Sequence, residues 1–228
     1  RSVRDILVLG VLVLCLAVPS SALAETEPTA FPLPHNFDLL KYIRVAVARG
    51  DKNLSVRWDD PYRIKTIETN QILGEHPAEA IEISSIRNGL KIGNQTIKIY
   101  GVRLISRGRR IHIGNQTYLD ALQVIREANG TLTVVNEIDV ETYLRGVLPK
   151  EVPSKWPREA LKAQAVVART YALFDELKEF DSDFSLVSTV YSQVYGGESA
   201  AEISTNDAVL DTKGEILTYS GKIFRTYF

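Results

Sequence analysis

The chain has 228 residues, 45% of them hydrophobic and 8% aromatic, enough apolar material for one large or two small packed units of a soluble globular protein. Its 27 basic and 28 acidic side chains leave a net charge of −1, so no basic excess points toward nucleic acid. Its one cysteine, Cys15, lies in the first apolar run, and the part beyond it can form neither a disulfide, nor a thiolate zinc site, nor a cysteine nucleophile.

Arg1 and Arg4 precede an apolar run from Ile6 to Val18, and Ala22-Leu23-Ala24 supplies the small residues a signal peptidase needs. Residues 1–24 are expected to be a secretory signal peptide, which places the mature protein outside the cytoplasm, in the cell envelope or secreted. The run falls short of the roughly 20 apolar residues that span a bilayer, so membrane contact is expected only through an uncleaved leader. Losing Arg1, Arg4 and Asp5 with the leader removes one net positive charge and leaves −2. Residues 25–40, with Pro28, Pro32 and Pro34, read as a linker.

Strands are expected at Tyr42 to Val47, Leu54 to Trp58 and Tyr62 to Thr66, separated by the turn sequences Gly50-Asp51-Lys52-Asn53 and Asp59-Asp60-Pro61. The stretch 81–135 alternates with period two and is expected to form a β-rich subdomain inserted in the fold. Within it Ile92-Gly93-Asn94-Gln95-Thr96 recurs as Ile113-Gly114-Asn115-Gln116-Thr117, which predicts two similar hairpins. Asn129-Gly130 predicts a third, between Leu122 to Arg126 and Thr131 to Val135. The run Arg107-Gly108-Arg109-Arg110 reads as a solvated hairpin tip. His35, His76 and His112 are widely spaced and form no ligand motif.

Asp139 is placed to cap a helix, with Ile138 and Tyr143 as its hydrophobic staple. That helix is expected to run from Val140 to about Arg145 and to stop at Gly146. Pro149 and Pro153 then stiffen a connector with Glu151 midway between them. Ser154 is the expected cap of the next helix, which runs from Ala160 to at least Leu173. Its Leu161, Ala165, Ala168 and Ala172 share one stripe, small enough for close approach of neighbours, so the helix reads as buried. A further helix is expected near Ala200 to Leu210, with strands at Thr189 to Tyr191, Ile216 to Tyr219 and Ile223 to Phe228.

On composition alone a single glutamate in a connector is a solvated loop residue. The run Glu-Thr-Tyr-Leu-Arg-Gly-Val-Leu-Pro-Lys-Glu-Val-Pro (141–153), followed by Trp-Pro-Arg-Glu-Ala-Leu-Lys-Ala-Gln-Ala-Val-Val-Ala-Arg-Thr-Tyr-Ala-Leu (156–173), closely resembles the signature of the stage II sporulation protein D family, which includes amidase enhancers. Weaker likeness extends to Ile43 to Val47, to Ser192-Gln193-Val194-Tyr195-Gly196-Gly197 and to Ile223 to Phe228. The resemblance makes residues 41–228 a sporulation protein D-like catalytic domain, one that stops short of a Ser- and Gly-rich segment with which the family usually continues.

The resemblance implies a lytic transglycosylase acting on peptidoglycan glycan strands, preferentially those stripped of stem peptides by an amidase, with Glu151 as its catalytic residue. One carboxylate suffices for that chemistry. It protonates the glycosidic oxygen leaving C1 of the muramic acid, then takes the proton of the sugar's own C6 hydroxyl as this closes onto C1. Asp139, Glu141 and Glu159 are expected to serve as caps and not as partners of Glu151. Lys150 and Lys155 are candidates to hold the muramic acid carboxylate, and Trp156 and Tyr195 to stack on sugar faces. Gln193 could bond sugar hydroxyls or acetamido groups, and Tyr227 lies in a segment the family uses near its site. Some relatives carry Cys and His near Gln193 and bind zinc there. Here that region reads Ser188-Thr189-Val190-Tyr191-Ser192, so no metal and no cofactor are expected.

The sequence thus predicts an α+β fold of mostly antiparallel strands around the Ala-rich helix, with glycan strands and a cell-wall amidase as partners. The alternative function is a non-catalytic wall-binding enhancer of an amidase. A purely structural envelope module is the third reading.

Overall fold

The computed structural model describes residues 30–34, 41–105, 110–189 and 192–227. The expected leader, most of the linker, Arg107 to Arg109, Val190, Tyr191 and Phe228 lie outside these residues. In chain order the strands are β1 (Ala30–Pro32), β2 (Tyr42–Arg49), β3 (Asn53–Trp58), β4 (Tyr62–Thr66), β5 (Ile72–His76), β6 (Ala80–Ile86), β7 (Gly89–Ile92), β8 (Gln95–Ile97), β9 (Gly101–Ile105), β10 (Ile111–Ile113), β11 (Gln116–Tyr118), β12 (Ala121–Arg126) and β13 (Leu132–Asp139). Helices α1 (Val140–Glu151) and α2 (Arg158–Lys178) follow, then β14 (Leu186–Val187), a 3-10 turn Glu198–Ala200, α3 (Ile203–Asp211), β15 (Thr218–Tyr219) and β16 (Lys222–Phe224). Among the described residues no helix is long and apolar enough to cross a membrane.

Among the described residues the strands form three sheets. A seven-stranded sheet runs β14-β2-β13-β12-β9-β4-β5, a six-stranded one β11-β10-β3-β6-β7-β8, and a small one β1-β16-β15. All pairs are antiparallel except β14 with β2. The fold is therefore α+β and strand-rich. Residues 81–135 contribute to both large sheets: most of the six-stranded sheet, and β9, β12 and the start of β13 in the seven-stranded one.

The reasons are local. In β3 and β4 alternate residues are buried, as a strand with one face on a core requires. In β13 both faces are covered, from Leu132 through Asn136. The repeated Ile-Gly-Asn-Gln sequence makes the same two-residue turn twice, pairing Ile92 with Gln95 and Ile113 with Gln116. Gly93 and Gly114 stand first in those turns with φ of +55° and +56°, a region other residues avoid. The two hairpins end up at opposite edges of one sheet.

A single buried cluster draws residues from both large sheets and from α1 and α2. The predicted stripe of α2, Leu161, Ala165, Ala168 and Ala172, lies within 1% of full burial. Three linker residues, Ala30–Pro32, are a strand and not free chain. They pair with Lys222–Phe224, and Phe31 packs on Phe174 with ring centroids 5.2 Å apart.

Asp139 caps α1 as expected: its Oδ1 accepts from the amides of Glu141 at 3.1 Å and Thr142 at 3.2 Å. Asp139→Ala is expected to lower the unfolding free energy by about 1 kcal/mol, shifting the urea midpoint without changing the slope. An unchanged midpoint would show that the cap contributes nothing.

The end of α1 differs from expectation. The helix passes through Gly146 and Pro149 and ends at Glu151, with Val152 extended at φ −138° and ψ 148°. Glu151 is thus the last residue of a helix, not the middle of an extended connector. Packing overrides the local stop signals, because Leu144, Val147 and Leu148 are fully buried and hold the last turns in place. Ser154 does not cap α2. Pro157 stands at its N-cap with no side-chain bond, and the Ser154 carbonyl instead accepts from Ser204 at 2.8 Å.

Candidate functional site

The end of α1 fixes one carboxylate. Glu151 is half-buried, and its Oε1 accepts from the backbone N–H of Val194 at 2.8 Å. Among the described residues Oε2 has no donor. One oxygen is therefore tethered to the backbone.

The tether belongs to a segment, 193–197, laid along α1. The Gly146 carbonyl accepts from Gly196 N–H at 3.1 Å, and the Tyr143 hydroxyl donates to Gln193 Oε1 at 3.0 Å. Gly146 is glycine because of this approach. A Cβ there would meet Gly197 O at 2.6 Å and the Tyr195 ring at 2.7 Å. The aliphatic stem of Lys150 crosses Gly196 in the same way, 2.8 Å from where a Cβ would stand. Gly146→Ala is expected to destabilise the protein by about 1–3 kcal/mol through overpacking, although alanine is the better helix former by about 1 kcal/mol. A thermal melt at or above the parent's would contradict the close packing.

Two predicted ligand contacts are corrected. Gln193 is fully buried, with Oε1 on Tyr143 and Nε2 on the Ala168 carbonyl at 3.2 Å. Tyr195 is 6% exposed, and its hydroxyl donates to Asn136 Oδ1 at 3.0 Å. Asn136 in turn donates to the carbonyls of Leu119 and Ala121, both at 2.9 Å. The Tyr195 ring packs against Tyr143 and Tyr118 at 4.9 Å and 6.0 Å. Burial holds the Tyr195 and Tyr143 phenols above the ordinary phenol range, so both stay neutral donors. The Gln193 and Tyr195 side chains are both buried and their polar atoms are satisfied inside the protein.

The remaining candidates face solvent. Lys150 and Lys155 are exposed and form no ion pair among the described residues. Trp156 is 48% exposed at the end of a turn in which its N–H donates to the Pro153 carbonyl at 3.0 Å. Tyr227 is 80% exposed, with the Arg225 guanidinium 5.8 Å from its ring centroid. Lys150 adjoins Glu151 directly. The structure gives Tyr227 no contact that ties it to Glu151. Among the described residues no three His, Cys, Asp or Glu side chains converge where a metal ion could sit.

Glu141 is not a cap. Its carboxylate pairs with Arg169, Nη2 to Oε2 at 2.7 Å and Nε to Oε1 at 3.0 Å, and also takes the Gly214 amide at 3.0 Å. Arg169 is fully buried and donates further to the carbonyls of Glu215 at 3.0 Å and Val209 at 3.3 Å. One guanidinium thus ties α1 and α2 to the chain leaving α3. The signal was present in the sequence as a charge on the buried Ala-rich helix, which demands a partner. Glu159 stays in the first turn of α2 and pairs with Lys162 at 3.1 Å.

Residues 128–219 match the family model described as Stage II sporulation protein. An uncharacterized protein of Brachyspira hyodysenteriae is 34% identical over 188 residues, 82% of this chain and 50% of that protein. The amidase enhancer of Bacillus subtilis is 38% identical over 143 residues, 60% of this chain and 19% of its own length. The stage II sporulation protein D of the same organism is 32% identical over 125 residues, 47% of this chain and 35% of its own. The chain thus spans half or less of the length of these relatives. The resemblance to the stage II sporulation protein D family stands as a finding, and the matched segment contains Glu151, Arg169 and the 193–197 strip.

Proposed function

We propose that this chain is the glycan-cleaving part of an exported peptidoglycan lytic transglycosylase, with Glu151 as its acid and base. The observation that supports it most is the Glu151 carboxylate, tethered through one oxygen to the Val194 amide inside the family-matched segment. The proton on the other oxygen passes to the glycosidic oxygen, and the bond from C1 of the muramic acid to that oxygen breaks. The C6 hydroxyl oxygen of the same sugar then bonds to C1, and its proton returns to Glu151. Every atom is accounted for without water, and the new end is a 1,6-anhydro sugar. Lys150 and Lys155 are the cations nearest in sequence to meet a muramic acid carboxylate, which is ionic only after an amidase has removed the stem peptide.

The amidase enhancer among the relatives favours a second reading, in which the chain binds wall glycan and stimulates an amidase without cutting. One experiment separates the two. The protein is incubated with peptide-free glycan strands, the products are weighed by mass spectrometry, and binding is followed by co-sedimentation. Anhydro-muramyl ends support the transglycosylase, and intact strands that sediment with the protein support the enhancer. Strands neither cut nor bound overturn both.

A further inference from the structure

Gln193 is an expensive residue for its place. It is fully buried between α1 and α2, where an apolar side chain would fill the same space without desolvating an amide. Both ends of that amide are met, and the partners dictate its orientation. The Ala168 carbonyl can only accept, so Nε2 must face it. Oε1 therefore faces Tyr143, and the Tyr143 hydroxyl, which can act either way, is the donor. One side chain thus clamps the strip to both helices in a single orientation.

The next peptide plane carries the Val194 N–H that holds Glu151. Its other side is pinned as well, by the Tyr195 hydroxyl on Asn136 and the Gly196 amide on the Gly146 carbonyl. We infer that Gln193 is a positioning residue: by bridging Tyr143 and Ala168 it aims the Val194 amide and so sets the direction of the Glu151 carboxylate. This rests on the reading of Glu151 given above. A general acid displaced by about 1 Å from its productive pose loses on the order of 100-fold in rate.

The test compares Gln193→Leu and Gln193→Glu with the parent. Leucine keeps the bulk and removes both bonds. Its kcat on glycan strands is expected to fall about 10–100-fold with KM changed less than about threefold, and the Val194 amide is expected to exchange with solvent faster. Glutamate restores the bridge only when protonated, offering O–H to Ala168 and C=O to Tyr143. The rate of Gln193→Glu relative to the parent is therefore expected to climb as pH falls, a signature that loss of packing does not produce. A folded Gln193→Leu with parental kcat and unchanged Val194 exchange overturns the inference. So does a Gln193→Glu variant whose relative rate stays low and flat at every pH. A parent protein that cuts no glycan sinks the transglycosylase reading instead, and Val194 exchange still reports whether Gln193 holds the amide.

Discussion

Glu151→Gln is expected to leave the protein folded and, on the proposed transglycosylase function, to lower glycan cleavage by about 100- to 10,000-fold, the usual contribution of a general acid or base. The substitution is close to surgical here. Glutamine keeps an amide oxygen for the Val194 N–H, so the 2.8 Å tether and the course of the 193–197 strip survive. What disappears is the transferable proton. Thermal denaturation is expected to give a melting point within a few degrees of the parent's, while anhydro ends in the glycan digest fall away. Glu151→Ala would mix two effects, because it also leaves a half-buried amide without its acceptor. A Glu151→Gln protein that melts normally and still cuts glycans at the parental rate would remove Glu151 from the chemistry.

Arg169→Met is expected to destabilise the fold by about 3–5 kcal/mol, because it leaves the Glu141 carboxylate without its guanidinium in a setting with little water. The loss is large against the roughly 5–15 kcal/mol that separates a folded domain from its unfolded chain. Arg169 is 1% exposed at its side chain and Glu141 12%, so solvent cannot replace the lost partner. The carbonyls of Val209 and Glu215 lose a donor at the same stroke. Replacing both members, Glu141→Leu with Arg169→Met, is expected to recover most of the loss, since an apolar pair of similar volume carries no buried charge. Urea unfolding of the two single variants and the double one measures this. A single variant within about 1 kcal/mol of the parent would mean that the pair is far better hydrated than its burial indicates.

How much could be read from the residues varies along the chain for identifiable reasons. Tyr62–Thr66 alternates cleanly and begins after a Pro turn, and the strand occupies those same residues. The paired Ile-Gly-Asn-Gln sequences carry their own turn chemistry, so both hairpins formed as expected. Asp139 likewise capped its helix from local sequence alone.

The end of α1 was not legible, because Gly146 and Pro149 are stop signals only for an isolated helix. Here Gly146 answers to the ring of Tyr195 and the backbone of Gly197, roughly fifty residues away in the chain, and no local pattern records that approach. Ala30–Pro32 is too short to alternate and contains a proline, so its pairing with Lys222–Phe224 left no trace either. At the site, residue type misled. Gln193 and Tyr195 have side chains fit for sugar, yet their polar atoms are satisfied inside the protein. The tether itself is a backbone amide, which side-chain chemistry cannot announce.

On the proposed transglycosylase function one carboxylate suffices because the sugar's own hydroxyl, not water, attacks C1. Digesting peptide-free glycan strands in water enriched with heavy oxygen tests it directly, with the mass of each new end as the readout. New muramyl ends are expected to carry no label and to weigh one water less than a reducing end. Labelled reducing ends would make the protein a hydrolase and contradict the account, and strands of undiminished length would leave Glu151 without a reaction.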